Sequence, residues 1–314
     1  MEFRSVSAGL LEFPAGLRYS NLHYQSRDYY QQKALNPADK DNGDDSGKTD
    51  YDKLLPSAAL SWAISPHLHS YVSYAKGFET PAFTEMAYSA NDGMNFSLKP
   101  ASSDNYELGL KAQNAWGNFT AALFQSKTQH DIVSAGNIDG RSIFRNADKT
   151  LREGLELSWN KTLWRDLTAQ ASCSYLDAVF DADIPELRDD EGKAATAYAA
   201  KGNAIPGIAE NQAFAALGWQ PETGFNAGMD VRYMDKIYVD DANSDAAPSY
   251  SVVSANAGYV WKQQDWKVRT YVRADNLFDE NYAGSVIVND GNGRFFEPAD
   301  GVNWSAGFSI SKAF

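Results

Sequence analysis

The chain has 314 residues, a formal net charge of −13 and a mean hydropathy of −0.48. The acidic balance argues against a nucleic-acid partner, because binding to phosphates requires clustered cations. Cys173 is the only cysteine, so no disulfide can form within the chain. No apolar run reaches the roughly 18 residues that a transmembrane helix needs, and the first residues lack the basic and apolar regions of a secretory signal peptide.

Alternation of apolar and polar residues with a period of two predicts strands along the whole chain. In residues 225–239, for example, Phe225, Met229 and Val231 alternate with Asp230 and Arg232. Successive side chains of a strand point to opposite faces, so each predicted strand has one apolar and one polar face. Twelve strands are predicted, near residues 15–30, 52–64, 68–77, 104–114, 117–133, 150–162, 167–180, 209–219, 225–239, 249–261, 266–278 and 302–314.

The connections between these strands alternate between short and long. The short connections are 65–67, 114–116, 163–166, 220–224 and 262–265, and the long ones are 31–51, 78–103, 134–149, 181–208, 240–248 and 279–301. Outer-membrane β-barrels have short periplasmic turns and long extracellular loops, whereas a Greek-key sandwich has no reason for this order. The aromatic content of 13% also suits the aromatic girdles of such barrels.

The last strand has the pattern expected of a barrel wall. Its apolar face carries Trp304, Phe308, Ile310 and Phe314, and its other face carries only small residues. A membrane-barrel strand shows one face to lipid and the other to the lumen. We therefore predict an all-β fold, an antiparallel transmembrane β-barrel with about 12 strands present, in which Phe314 ends on the periplasmic side and these four residues form the terminal barrel-assembly strand.

Several segments resemble TonB-dependent outer-membrane receptors in sequence and in order. They are Tyr71–Pro81, Tyr106–Lys111, Arg145-Asn-Ala followed by Glu153–Glu156, and Asn276–Tyr282. A narrower resemblance, to ferric dicitrate and pyrroloquinoline quinone receptors, is carried by Gly202–Gly207, Tyr238–Asn243 and Val286–Arg294.

The resemblance implies that residues 1–314 are the C-terminal part of a barrel of about 22 strands, in the outer membrane of a Gram-negative bacterium. The family's N-terminal plug domain and its TonB-binding segment have no counterpart here. The implied function is TonB-energised uptake of a scarce anionic ligand such as a ferric siderophore chelate. Uptake of pyrroloquinoline quinone and a self-contained 12-stranded passive channel remain alternatives. The implied partners are the ligand, outer-membrane lipid, the barrel-assembly machinery, and TonB through the absent N-terminal region.

Candidate ligand-binding residues are cations and aromatics near the long loops, because arginine offers a planar fork to carboxylates. We predict this role for Arg141, Arg145, Tyr238 and Arg294. For the cations predicted deeper inside, ion pairing is favoured: Arg232 with Asp230, and Arg273 with Asp275 or a plug carboxylate. The loop acids Asp240 and Asp241 are predicted to be solvated rather than to bind calcium. The sequence shows no catalytic constellation, so we predict neither an enzyme nor a bound metal or cofactor.

Overall fold

The fold is built almost entirely of strands. The computed structural model describes residues 9–29, 44–88, 93–138, 141–186 and 198–312. One short helix, α1 (Phe83–Met86), lies among the strands. The strands are β1 (Leu11–Glu12), β2 (Ala15–Ser26), β3 (Gly47–Ser65), β4 (Leu68–Glu79), β5 (Ala101–Asn114), β6 (Gly117–Ile138), β7 (Arg141–Trp164), β8 (Leu167–Phe180), β9 (Asn211–Trp219), β10 (Gly224–Met234), β11 (Ile237–Tyr238), β12 (Ala246–Ala247), β13 (Tyr250–Gln263), β14 (Trp266–Asp275), β15 (Ala283–Val286), β16 (Phe296–Pro298) and β17 (Asn303–Lys312).

One antiparallel sheet contains every long strand. Its order is β1-β3-β4-β5-β6-β7-β8-β9-β10-β13-β14-β17, and β2 also pairs with β3. Because Leu11 of β1 lies opposite Trp62 of β3 and Ala15 of β2 lies opposite Ala58, β1 and β2 form one interrupted edge strand. All twelve predicted strands are therefore confirmed. Within the described ranges, β17 pairs only with β14 and β2 only with β3, so the sheet is an open arc with two free edges.

The connections follow the predicted rhythm with one exception. Short turns join β3 to β4, β5 to β6, β7 to β8, β9 to β10 and β13 to β14. The predicted long loop at 134–149 is wrong, because β6 and β7 stay paired up to Ile138 opposite Arg141. A bulge between Ser134 and Gly136 interrupts the alternation there, which hides the strand from a period-two pattern. Two long connections also contain short hairpins, β11–β12 and β15–β16.

One face of the sheet, which we call the apolar face, exposes large apolar side chains in every part of the arc. Leu17 is 69% exposed, Leu123 53%, Met229 52% and Phe308 73%. At the short-turn end this face ends in exposed aromatic residues: Trp62, Trp116, Trp164, Trp219, Phe225, Trp261 and Trp266. An apolar surface of this extent is not compatible with water, and its aromatic border matches the membrane interface of a barrel.

The opposite, polar face explains the small residues of the last strand. Gly307 of β17 lies opposite Tyr271 of β14, and a Cβ atom at Gly307 would approach the Tyr271 ring to 2.7 Å. The same arrangement recurs where Tyr71 covers Gly109. A bulky ring on one strand thus occupies the space that glycine leaves on the next strand, so the small face of β17 is the complement of the large side chains of β14.

Buried apolar residues are concentrated at the long-loop end. Their cluster consists of Ala147, Ala178, Phe180, Ile184, Ala199 and Ile205. Leu176, Ala178 and Phe180 alternate with the outward-facing Tyr175, so the connection between β8 and β9 folds against the polar face. A second buried group, with Tyr51 and Met86, anchors the connection between β4 and β5: the Tyr51 hydroxyl donates to the Leu98 carbonyl at 2.9 Å. The loops are therefore packed against the sheet, and they lie on its lumen side.

Candidate functional site

The predicted ligand residues all lie at the long-loop end, but they differ in exposure. Arg141 begins β7 and its guanidinium lies 4.8 Å from the centre of the Tyr88 ring. Arg294 is exposed in the connection between β14 and β17, and its backbone N–H donates to Asp290 at 2.8 Å. The hydroxyl of Tyr238 accepts a hydrogen bond from the Lys236 Nζ at 2.8 Å. The ligand-binding role of these residues stays a prediction.

Arg145 is placed differently, inside a buried polar centre. Its side chain is 10% exposed, and its Nη2 donates to Asp241 Oδ2 at 2.8 Å. Its Nη1 donates to the Pro185 carbonyl at 2.7 Å. Because Asp241 is only 3% exposed, water screens the attraction between these two charges less than it does in a surface pair. The contacts of Arg145 fix loops to one another, and they leave its charge neutralised by Asp241.

At Asp241, three long connections meet the paired ends of β6 and β7. The Asn289 amide donates to Asp241 Oδ1 at 3.0 Å and to the Ser134 carbonyl at 2.9 Å. The Asn203 amide donates to the Asp241 carbonyl at 2.9 Å. We call Ser134, Arg145, Pro185, Asn203, Asp241 and Asn289 the loop hub. It joins the β6–β7 hairpin, the β8–β9 connection, the β10–β13 connection and the β14–β17 connection into one hydrogen-bonded body.

The prediction that Asp241 is solvated is wrong. An acid in a loop has the same sequence pattern whether it is solvated or paired, and Arg145 lies 96 residues away in the chain. The hub residues Asn203 and Asn289 were also missed, because their roles depend on which loops meet. The one sequence signal was the position of Arg145, Asn203, Asp241 and Asn289 inside segments that resemble the receptor family.

Two charges in the connection that follows β10 are held by neighbouring groups. The side-chain amide of Asn211, which donates to Asp235 at 2.8 Å, and the backbone N–H of Lys236 together lower the pKa of Asp235. The hydrogen bond to Tyr238 raises the pKa of Lys236. Lys236 is therefore a fixed positive charge beside the Tyr238 ring, at 4.7 Å from its centre.

On the polar face, the predicted pairing is half right. Arg273 Nη2 lies 2.8 Å from Asp275, as predicted, but its Nη1 also lies 3.0 Å from Asp230. Asp230 is therefore paired with Arg273, and the predicted Arg232–Asp230 pair is wrong. Arg232 and Arg269 are exposed on this face and have no ion-pair partner within the ranges that the structure describes.

The predicted barrel-assembly residues occupy the edge of the sheet. Trp304, Phe308 and Ile310 lie on the apolar face of β17 and are 69%, 73% and 56% exposed. Phe314 lies outside the described residues. Lys312, on the same face, lies 5.4 Å from the centre of the Trp266 ring. The apolar side of the edge strand is as the sequence predicted, and the assembly role stays a prediction.

Within the described ranges, no three histidine, cysteine or acidic side chains come together in a way that could hold a metal ion. Among the same residues, no helix has the length and apolar character required to cross a membrane.

The alternating connections, the apolar face with its aromatic border and the packed loops at one end define an antiparallel β-barrel wall of the outer-membrane type. Residues 5–277 match the family described as TonB dependent receptor-like, beta-barrel. The chain belongs to this family.

The relatives of this chain are named for different ligands. The chain is 26% identical over 234 residues to the ferrioxamine receptor of Yersinia enterocolitica, covering 73% of this chain and 30% of that protein. It is 26% identical over 241 residues to the vitamin B12 transporter BtuB of Photobacterium profundum, covering 74% of this chain and 35% of that protein. The chain spans about a third of the length of these curated relatives.

Solved structures show the same fold. The siderophore receptor PiuA from Acinetobacter baumannii has a TM-score of 0.74 at 20% identity, over 96% of this chain and 41% of that chain. The ferric-catecholate import receptor Fiu from K12 E. coli, in its closed form, has a TM-score of 0.70 at 16% identity, over 96% of this chain and 42% of that chain. At these identities the likeness shows the fold alone.

Proposed function

We propose that this chain forms the C-terminal part of the barrel of an outer-membrane receptor for TonB-energised uptake of an anionic ferric siderophore chelate. The observation that carries the proposal is the loop hub. Three long connections and the β6–β7 hairpin are bonded together over the lumen side of a barrel wall, which places a shaped, polar surface at the mouth of the barrel. A fixed surface lowers the entropy cost of ligand binding.

Three cations at the mouth are available to contact an anionic ligand directly. Arg141, Lys236 and Arg294 lie in or beside the connections that the hub joins or borders. Arginine offers paired donors to carboxylate or phenolate oxygens, so the contact does not require the whole mouth to be positively charged. The ferrioxamine receptors among the relatives support iron chelates as the ligand class. The vitamin B12 transporter shows that the fold alone does not fix the ligand.

The energised mechanism is proposed over a passive channel because the sheet is open. A self-contained channel of twelve strands needs its two edges paired with each other, since each unsatisfied backbone group in lipid costs several kcal/mol. Within the described part of the chain, β2 and β17 do not pair.

The test is ligand-dependent growth of an uptake-deficient strain that carries the full-length gene. We expect growth on at least one ferric chelate, and we expect that growth to disappear when TonB is deleted. Growth that survives the deletion would support a passive channel. Quinone-dependent growth without any chelate-dependent growth would instead support pyrroloquinoline quinone uptake. Failure to grow on either class would reject the proposed function.

A further inference from the structure

Arg232 has no ion-pair partner among the residues that the structure describes. It lies on the polar face of β10, and the carboxylate nearest to it in sequence, Asp230, is held by Arg273 at 3.0 Å. An exposed arginine facing bulk water is ordinary. Arg232 instead borders a cavity of about 430 Å³, a size typical of small-molecule sites.

Aromatic rings form the wall of this cavity beside Arg232. Tyr250, which begins β13, stacks on Tyr282 with ring centres 4.2 Å apart and an angle of 29° between the rings. Phe214 of β9 lies directly opposite Arg232 in the sheet. All three rings line the cavity together with Arg232. A guanidinium beside a stacked pair of rings can bind an anionic group and an adjoining aromatic group at the same time.

The cavity lies at the base of the loops. Arg232 is two residues from the end of β10, and Met234 at that end lies opposite Tyr250. Tyr282 belongs to the β14–β17 connection, which also supplies Asn289 to the loop hub. One acid, Glu156, lines the cavity. It lies on β7, three strands from β10, or about 14 Å away at the usual strand spacing, so it does not neutralise Arg232.

We infer that this cavity is a ligand subsite for an anionic, aromatic donor group, with Arg232 on the oxygen anion and the Tyr250–Tyr282 pair against the ring. The inference rests on the proposed function and narrows it to a class of chelate. A ligand released from the loop surface meets this subsite on the polar face just below. The serine hydroxyls of Ser172 and Ser174, at the other side of the cavity, supply further polar contacts.

The experiment compares two probes on the full-length receptor purified from membranes in detergent. One probe is a hexadentate ferric tris-catecholate, which is anionic and aromatic. The other is a hexadentate ferric tris-hydroxamate, which has neither an aromatic ring nor a negative charge. Binding is measured by quenching of tryptophan fluorescence. We expect the wild type to prefer the catecholate.

Two variants and one matched control separate the subsite from the rest of the barrel. Arg232→Gln removes a charge-assisted hydrogen bond and is expected to weaken catecholate binding by about 10- to 100-fold. Tyr282→Leu removes ring packing and is expected to weaken it by about 3- to 10-fold. Arg269→Gln is the control, because Arg269 is exposed on the same face and has no ion pair in the described structure but lies outside the cavity. It should leave binding unchanged.

Three other results would overturn the inference. A wild type that binds only the hydroxamate would overturn it while leaving the proposed uptake function standing, since growth on a chelate is measured separately. Equal losses in Arg232→Gln and Arg269→Gln would indicate a general charge effect. An Arg232→Gln variant that binds the catecholate like wild type but melts at a lower temperature would assign Arg232 to a contact within the receptor, such as a plug carboxylate.

Discussion

Asp241→Ala should destabilise the loop hub while the strands of the barrel wall stay folded. The substitution leaves the Arg145 guanidinium 10% exposed with no anionic partner and only the Pro185 carbonyl as an acceptor. Removing one member of a buried ion pair costs about 3–5 kcal/mol, because the other charge stays buried. The Asn289 amide also loses one of its two acceptors. The cost falls on the loops, since both partners lie at the long-loop end of the sheet.

Amide hydrogen exchange by mass spectrometry measures this cost segment by segment. Each 1.4 kcal/mol is a factor of ten in an equilibrium constant, so exchange at Asn203, Asp241 and Asn289 should accelerate by about 10²–10³-fold. Exchange in the central strands should not change. The double variant Arg145→Met with Asp241→Leu should recover most of the protection, because an apolar pair can replace a buried ion pair.

A matched control uses an ion pair that is open to solvent. Glu222 pairs with Lys262 at the short-turn end, where Glu222 is 77% exposed. Glu222→Ala should therefore leave loop exchange unchanged. If Asp241→Ala exchanges like wild type, the three connections and the β6–β7 hairpin are held together by something other than the hub, and the reasoning from burial fails.

Three further outcomes follow from other parts of the chain. Gly307→Val should lower the yield of folded, heat-modifiable barrel on gels, because its side chain collides with the Tyr271 ring; a wild-type yield would show that the ring can move aside. Leu157→Arg places a charge on the apolar face and should cost about 2–4 kcal/mol of stability in urea-unfolding experiments in lipid, whereas Ser158→Arg, on the polar face, should be tolerated; equal costs would refute the assignment of faces. The Lys201 ammonium, 2.8 Å from Asp181, lowers the pKa of Asp181. The ion pair therefore stabilises the folded state above the ordinary pKa of an aspartate, and this stabilisation is lost as the pH falls through the lower pKa that Asp181 has in the folded state. Exchange in residues 198–210, corrected for intrinsic rates, should rise only below about pH 4. Lys201→Gln should reduce that rise without abolishing it, because the backbone N–H of residue 201 still donates to Asp183 and lowers the pKa of that acid as well.

The strands were predictable because each has one face toward an apolar medium, so apolar and polar residues alternate along its sequence. The pattern was lost where a bulge changes the period, as at Ser134–Gly136, or where an element is only two residues long, as in β11 and β12. The short turns were predictable because their polar residues interrupt long alternating runs.

The partners of charged residues were not predictable in the same way. Asp230 and Arg232 are neighbours on one face of β10, yet Asp230 pairs with Arg273 from β14, two strands away. A prediction from sequence pairs each charged residue with the nearest opposite charge along the chain. In the folded sheet, the register of the strands decides which charged side chains meet. The same limit hid the loop hub. Arg145 lies on β7, whereas Asn203, Asp241 and Asn289 come from three separate connections, and only the assembled sheet brings them together.

The two free edges of the arc restrict what can complete it. With β1 and β2 counted as one, twelve strands alternate in direction, so β2 and β17 run in opposite senses. A closed ring in which every neighbour is antiparallel must contain an even number of strands. Any set of strands that closes this arc by antiparallel pairing alone therefore contributes an even number, and its first and last strands must also run in opposite directions. A single inserted or deleted strand in the complement would force one parallel seam, so the complement can gain or lose whole hairpins but not single strands.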